Sequence, residues 1–134
     1  MSNAAHFVST GAGTSFYVTT FRNGARAGRC NPSGATSFFT YTLAAANAHT
    51  VYRFAIFFTS VPSATCAIGT SLSTTNNGAY FNAADSKIYA GTNTGALGAT
   101  GVTVTTGRWY YIDVHANLVA NPWLIDVQVN GTAC

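Results

Sequence analysis

The chain has 134 residues, which is enough for one domain of average size and too few for two domains that each bury a core. Charged residues make up only 7% of the sequence and hydrophobic residues 48%, which excludes a disordered chain and a coiled coil. The formal net charge is +3, with no glutamate. We therefore expect a single compact domain over residues 1–134.

The predicted secondary structure consists of short β-strands. Apolar and polar residues alternate with a period of two, in runs bounded by Gly, Asn and Pro. In chain order, these runs predict strands at residues 15–21, 37–43, 51–58, 65–72, 79–82, 87–90, 102–105, 108–116 and 123–129. Residues 43–48 are alanine-rich, but a helix of this length is marginal in water, so a loop is predicted there.

Three runs alternate most regularly and predict which side chains face the core. The expected core residues are Tyr52, Phe54, Ile56 and Phe58, then Tyr110, Ile112, Val114 and Ala116, then Trp123, Ile125, Val127 and Val129. The opposite faces carry Arg53, then Trp109, Tyr111, Asp113 and His115, then Leu124, Asp126 and Gln128. Because Arg53 is charged and its neighbours on this second face are apolar, we expect solvent or a partner to reach that face. Because aromatic side chains fill sandwich cores, we nevertheless expect Trp109 in the core.

Turn signals separate the runs. Asn23-Gly24 and Asn77-Gly78 predict tight turns, and Asn130-Gly131 predicts a hairpin turn, because both residue types tolerate positive φ. Residues 73–84 and 91–107 are predicted to be mainly loops. About nine strands with turns every 8–12 residues predict an all-β fold, a two-sheet antiparallel β-sandwich.

The strands near the C-terminal end resemble a known family. Residues 107–114 read Gly-Arg-Trp-Tyr-Tyr-Ile-Asp-Val, and residues 123–131 read Trp-Leu-Ile-Asp-Val-Gln-Val-Asn-Gly. This pair is similar to the signature of laminin-G-like, concanavalin A-like jelly-roll modules. Residues 52–58 and 85–89 resemble two earlier strands of that family. The resemblance covers roughly residues 38–131 and implies a jelly-roll sandwich.

The resemblance also implies features beyond these strands. Family members continue past the Val-Asn-Gly hairpin with further strands, whereas this sequence stops at Cys134. We therefore expect either a fragment or a sheet edge that a neighbouring subunit fills. Family members often hold calcium at a sheet rim, which makes Asn82 and Asp85 candidate Ca²⁺ ligands. An Asx turn is the alternative for these two residues.

The cysteines and the N-terminal residues indicate a compartment. Cys30, Cys66 and Cys134 lack the C-x-x-C spacing of zinc and redox sites, which favours buried thiols in a reducing setting. A disulfide between Cys30 and Cys66 is the alternative. No apolar stretch of about 18 residues predicts a membrane span, and no secretion signal is present. The chain either works where it is made or leaves by another route, such as lysis, and we expect it on a virion or extracellular surface.

Groups suited to catalysis are sparse. Glycosidases of the related jelly-roll class need two carboxyl groups, usually Glu, and Asp113 and Asp126 lack the spacing for this role. No G-x-S-x-G motif accompanies the three histidines. Asp113 and His115 share a strand face, but they need a third ligand from a neighbouring strand to hold a metal ion. We therefore predict that the protein is not an enzyme.

Residues suited to binding are more frequent. Aromatic rings can stack on sugar rings and amide side chains can bond sugar hydroxyls, so the predicted ligand-binding residues are Tyr80, Tyr89, Asn77 and Asn82. The arginines clustered within residues 22–29 number only three, too few to predict a nucleic-acid partner.

The predicted function follows from the low charge and the abundance of Thr, Asn, Gly and aromatic residues. This composition suits a non-catalytic structural or adhesive module of an extracellular assembly, such as a phage virion surface or decoration protein. Its partners are expected to be copies of itself or other structural proteins. The alternative is a carbohydrate-binding module that recognises a cell-surface glycan.

Overall fold

The computed structural model describes residues 8–10, 14–17, 27–30, 38–40, 48–71, 77–92, 95–117 and 124–134. The chain divides into two compact units, Met1–Ala46 and Asn47–Cys134. The single domain over residues 1–134 stays a prediction. None of the described residues belongs to a helix that is long and apolar enough to cross a membrane.

The first unit contains four short strands. They are β1 (Val8–Thr10), β2 (Thr14–Tyr17), β3 (Ala27–Cys30) and β4 (Phe38–Thr40). β1 pairs antiparallel with β4, and β2 pairs antiparallel with β3. The sequence predicted β2 and β4 but not β1 and β3, because three or four residues contain too few alternating positions to indicate a strand. The predicted turn at Asn23-Gly24 lies outside the described residues, as does most of the alanine-rich window 43–48.

The second unit contains two antiparallel sheets of four strands each. Its strands are β5 (His49–Phe57), β6 (Cys66–Ser71), β7 (Asn77–Asn82), β8 (Lys87–Thr92), β9 (Leu97–Thr103), β10 (Trp109–Asn117), β11 (Leu124–Val129) and β12 (Thr132–Ala133). The strand orders are β12-β11-β10-β5 and β6-β7-β8-β9. The described residues contain no helix, so the all-β prediction is confirmed for them.

The two sheets of the second unit pack face to face around an apolar core. β10 and β11 of one sheet lie against β7 and β8 of the other, as in a β-sandwich. The buried core residues are Phe58, Ala79, Phe81, Ile88, Val104, Tyr110, Ile112, Val114, Val127 and Val129. Tyr52, Phe54 and Ile56 of β5 are partly buried against this core, as is Ile125 of β11. The inward faces predicted for β5, β10 and β11 are therefore confirmed, whereas Trp123 lies outside the described residues.

The two segments predicted to be mainly loops contain more strand than expected. Asn77-Gly78 is not a turn, because Asn77 pairs with Thr92 and Gly78 with Gly91 in the ladder between β7 and β8. Gly78 is required there for a packing reason, since a Cβ atom at this position would overlap the carbonyl oxygen of Gly69. β9, at Leu97–Thr103, lies inside the segment 91–107 that was predicted to be mainly loop. Gly and Ala have a low intrinsic preference for strands, so pairing with the neighbouring strand stabilises the extended conformation of β9.

The hairpin turn predicted at Asn130-Gly131 is present. Both residues have positive φ, 52° for Asn130 and 79° for Gly131, and they connect β11 to β12. Two consecutive positive φ values are the requirement of a type I′ turn, which favours Asn followed by Gly. The turn holds its position because the Tyr111 backbone N–H donates a hydrogen bond to Asn130 Oδ1 at 2.9 Å.

Candidate functional site

The predicted sugar-binding residues lie on β7 and β8, but the structure does not bring all four together. Tyr80 and Tyr89 are direct cross-strand partners and point away from the core side of their sheet. Asn77 and Asn82 occupy opposite ends of β7, about 17 Å apart at the usual rise of an extended strand. The structure therefore assembles the tyrosine pair and separates the two asparagines.

The surroundings of these four residues also differ from those of an open ligand site. Tyr80 is only 9% exposed and Asn77 only 3% exposed. Burial raises the pKa of the Tyr80 hydroxyl. Asn82 Oδ1 accepts hydrogen bonds from Thr65 Oγ1 at 3.1 Å and from the Ala84 backbone N–H at 3.2 Å. The Asn82 amide oxygen thus stabilises the turn that follows β7, as an Asx turn does.

Tyr89 is held by its own hairpin. Its hydroxyl donates a hydrogen bond of 2.5 Å to Asp85 Oδ2, and this bond raises the pKa of Tyr89. Its ring lies over Gly101, where a Cβ atom would overlap it. Asn82 and Asp85, the candidate Ca²⁺ ligands, therefore have other hydrogen-bond partners. Within the described part of the chain, no three His, Cys, Asp or Glu side chains come together in a way that holds a metal ion.

A different surface combines aromatic, charged and exposed apolar side chains. We call it the outer face. It is the side of the β5–β10–β11 sheet opposite the core, and it carries Val51, Arg53, Ala55, Phe57, Trp109, Tyr111, Asp113, His115, Leu124, Asp126 and Gln128. The sequence predicted that this face is accessible, because Arg53 alternates with apolar residues. The 72% exposure of the Arg53 side chain confirms that prediction.

One end of the outer face forms an open groove of about 550 Å³. The groove is lined by Arg53, Trp109, Tyr111, Asp113, Asn130 and Gly131, and we call it the Trp109 groove. The prediction that Trp109 lies in the core is wrong. Its ring is half-buried and packs on Phe57 of the same face, with the ring centroids 5.3 Å apart. Aromatic composition suggested the core, whereas the strand alternation, which places Trp109 beside Tyr111 and Asp113, was the correct signal.

The charged part of the groove is an ion pair between neighbouring strands. Arg53 of β5 and Asp113 of β10 are cross-strand partners, and Arg53 Nε donates a hydrogen bond to Asp113 Oδ1. This hydrogen bond raises the pKa of Arg53. The Asp113 side chain is only 13% exposed, so the pair places a mostly buried carboxylate beneath an exposed guanidinium.

A second depression of about 430 Å³ lies at the other end of the outer face. Its lining includes Val51, His115, Leu124 and Asp126. His115 is the cross-strand partner of Val51 on one side and of Asp126 on the other. Asp113 and His115, which share this face, gain no third metal ligand among the described residues, and Asp113 is bonded to Arg53.

Two of the three cysteines fall within the described side chains. Cys66 and Cys134 are free thiols and are partly buried against the core. Burial raises the pKa of both thiols. A free, partly buried thiol at Cys66 agrees with the predicted buried thiols, whereas the Cys30 side chain lies outside those described and the alternative Cys30–Cys66 disulfide stays a prediction.

Comparisons with known proteins do not assign the chain to a family. No family model, curated protein or solved structure matches it. The similarity to laminin-G-like modules in residues 38–131 therefore stays a prediction from the sequence.

Proposed function

We propose that the chain is a non-catalytic structural or adhesive module of an extracellular assembly, such as a virion surface. In this proposal the sandwich has a concanavalin A-like jelly-roll topology, and the outer face contacts copies of the chain or other structural proteins. The observation that carries the proposal is the exposure of large apolar side chains on this face. Val51 is 68% exposed and Leu124 is 61% exposed.

The exposed apolar residues form part of one depression and are not scattered singly. Val51 and Leu124 both line the depression beside His115. Burying apolar area of this kind contributes roughly 25 cal/mol per Å² removed from water. Exposed apolar side chains around one depression, with polar groups such as His115 and Asp126 between and beside them, suit a protein contact surface. These features support binding to a protein partner at this end of the outer face.

The carboxylates of the outer face support a non-catalytic role. Asp113 is opposite Gln128 on β11, and Asp126 is opposite His115 on β10, so the two aspartates are not direct cross-strand partners. Asp113 is also bonded to Arg53. The sequence also contains no glutamate, the residue that glycosidases of this class usually use for their paired carboxyl groups.

The test is the mass of the purified full chain in solution, measured by light scattering after size exclusion. The proposal predicts an oligomer that the double variant Val51→Ser/Leu124→Ser dissociates. Val61→Ser is the matched control, because Val61 is a valine that is 38% exposed and lies outside the outer face. A wild-type chain that stays monomeric at all concentrations and binds no structural partner would contradict the proposal.

A second candidate function is a carbohydrate-binding module. It is favoured by the Trp109 groove, where two aromatic rings lie beside a hydrogen-bonding charged pair. Sugar-binding sites combine an apolar ring surface with a few convergent polar groups. Screening the full chain against an array of oligosaccharides tests this candidate, and binding to none of them would exclude it.

A further inference from the structure

From the direction of the backbone hydrogen bonds, we infer that the free edge of β5 pairs antiparallel with β5 of a second copy of the chain. The free edge is the side of β5 opposite β10, at the end of the strand order β12-β11-β10-β5. The inference rests on the proposed function in that copies of the chain contact each other, and it adds the strand through which they join. The sequence left open which sheet edge a neighbouring subunit fills.

Hydrogen bonds of the neighbouring strands identify the backbone groups of β5 that point to its free edge. In an antiparallel sheet the N–H and C=O of one residue point to the same side, and successive residues alternate. The Asn130 N–H donates to the Tyr111 carbonyl at 2.8 Å, so Tyr111 is directed towards β11 and its neighbour Ile112 towards β5. Ile112 is the cross-strand partner of Phe54, so Phe54 is directed towards β10.

This alternation leaves a row of donors and acceptors at the free edge. Since Phe54 is directed towards β10, the residues on either side of it, and every second residue beyond them, point away from β10: His49, Val51, Arg53, Ala55 and Phe57. The Phe58 carbonyl accepts a hydrogen bond from the Gly107 N–H at 2.9 Å, which is the direction that the alternation requires. None of the described strands pairs with this row.

The other three sheet edges of the second unit have features that shorten or interrupt strand pairing. β12 has only two residues. The ladder between β6 and β7 has a register shift at residues 67–69, and the ladder between β8 and β9 has one at residues 89–91. β5, in contrast, pairs with β10 over nine residues without a shift. Because short strands and bulges keep sheet edges from pairing, β5 is the edge most open to an added strand.

Charge is another feature that keeps sheet edges apart, and it is neutralised on β5. Arg53 is the only Lys, Arg, Asp or Glu residue of β5, and it forms an ion pair with Asp113 of β10. An added strand therefore meets no unpaired charge at this edge.

The side chains of β5 also leave apolar surface at the free edge. Tyr52, Phe54 and Ile56 face the core but are only partly buried, whereas Ile112 and Val114 of the neighbouring β10 are fully buried. A strand added beyond β5 covers apolar surface of these three residues, and removing such surface from water is favourable.

The sequence of β5 is complementary to itself. Only residues that point to the free edge can form hydrogen-bonded pairs, which restricts the pairing to a few registers. In the register that sets Ala55 opposite Arg53 of the second copy, Val51 is opposite Phe57 and no two arginines face each other. A β-branched residue opposite an aromatic one is a favourable cross-strand pair. The result is a two-fold symmetric sheet of eight strands, four from each copy.

Amide hydrogen exchange of the full chain, read residue by residue by NMR, tests the inference without a substitution. The exchange rates are compared at concentrations where light scattering shows the oligomer and where it shows the monomer. We expect the amides of Val51, Arg53 and Ala55 to exchange slowly in the oligomer and fast in the monomer. The amides of Tyr52 and Phe54, which are directed towards β10, are the internal control and should stay protected in both.

Ala55→Pro tests the same contact by substitution. Proline removes an N–H that the pairing with β10 does not use, so the variant should keep its fold, which urea denaturation checks. Ala55→Ser is the matched control, because it changes the side chain and keeps the N–H. We expect Ala55→Pro to raise the dissociation constant of the dimer at least about tenfold, since each copy loses a hydrogen bond, and Ala55→Ser to leave it unchanged.

Three results would overturn the inference. The first is fast exchange of the outward amides in the oligomer; if Val51→Ser/Leu124→Ser still dissociated that oligomer, the proposed function would stand. The second is slow exchange of these amides in the monomer, because a strand of the same chain would then fill the edge. The third is a chain that is monomeric at every concentration, which would contradict the proposed function only if the chain also bound no structural partner.

Discussion

Arg53 and Asp113 face each other across β5 and β10, and their exposures differ sharply, at 72% and 13% of the side chain. The mostly buried charge of Asp113 therefore needs its partner's charge more than the exposed charge of Arg53 does. Removing the guanidinium leaves a mostly buried carboxylate without its described partner, which is the costly way to break an ion pair.

The first prediction follows from this asymmetry. Arg53→Ala should lower the free energy of unfolding measurably, whereas Arg108→Ala, at an exposed arginine with no ion pair to the described residues, should not. Urea denaturation of the two variants measures the difference. Adding Asp113→Asn to Arg53→Ala should recover part of the loss, because it removes the unpaired charge. Equal effects of the two arginine variants would contradict a structural role for the pair.

Ile112 tests the core that the two sheets share. It is fully buried on β10, so Ile112→Ala should lower the free energy of unfolding by about 2–5 kcal/mol through lost burial and the cavity left behind. Val51→Ala, at an exposed position of the neighbouring strand, should change it by less than about 0.5 kcal/mol. Chemical denaturation distinguishes the two. A small effect at Ile112 would mean that the sheets do not pack through this residue.

Two glycines that contact aromatic rings are expected to respond differently to alanine. A Cβ atom at Gly69 would overlap the Phe54 ring, which is packed against the core, whereas a Cβ atom at Gly101 would overlap the Tyr89 ring, which lies outside the core. Gly69→Ala should therefore cost about 1–3 kcal/mol of unfolding free energy. Gly101→Ala should cost less than Gly69→Ala, because the Tyr89 ring lies outside the core and can shift if its hydrogen bond to Asp85 breaks.

A second substitution makes the Gly69 prediction specific. Phe54→Leu in the Gly69→Ala background should recover part of the lost unfolding free energy, because the smaller side chain makes room for the added methyl group. Thermal denaturation of the two single variants and the double variant measures this coupling. Simple additivity of the two single effects would show that Gly69 and Phe54 do not interact.

The buried thiols predict how stability changes with pH. Burial raises the pKa of Cys66 and Cys134 above their ordinary value of 9.0. The unfolded chain therefore loses its thiol protons at lower pH than the folded chain, so the stabilisation is complete below pH 9 and is lost as pH rises further. The urea concentration at the midpoint of unfolding should fall as the pH is raised from 8 to about 10.5. It should fall less steeply in Cys66→Ala than in the wild type. A Cys66→Ala profile parallel to wild type would contradict the assignment.

The fold was predictable from sequence where alternation is strict and sustained. β5, β10 and β11 each alternate over six to nine residues, and the structure places their predicted inward residues at the core. β9 was mostly missed because its residues, Leu97–Thr103, are mainly Gly, Ala and Thr, and pairing with β8 determines their conformation.

The candidate site was predictable only in part. Alternation placed Trp109, Tyr111 and Asp113 on one accessible face, but the pairing of Arg53 with Asp113 depends on the register between β5 and β10, which are 60 residues apart at this pair. No local pattern in the sequence encodes that register. Asn77 was grouped with Asn82 for a different reason: Asn77-Gly78 was predicted as a turn, whereas Asn77 and Asn82 lie at opposite ends of β7.

The most direct test of the outer face as the contact surface is hydroxyl-radical footprinting of the full chain, comparing the assembled or partner-bound state with the free chain. The proposed function predicts protection at Val51 and Leu124, with Val61 unchanged. Protection confined to the β7–β8 sheet, around Tyr89, with Val51 and Leu124 as reactive as in the free chain, would contradict it.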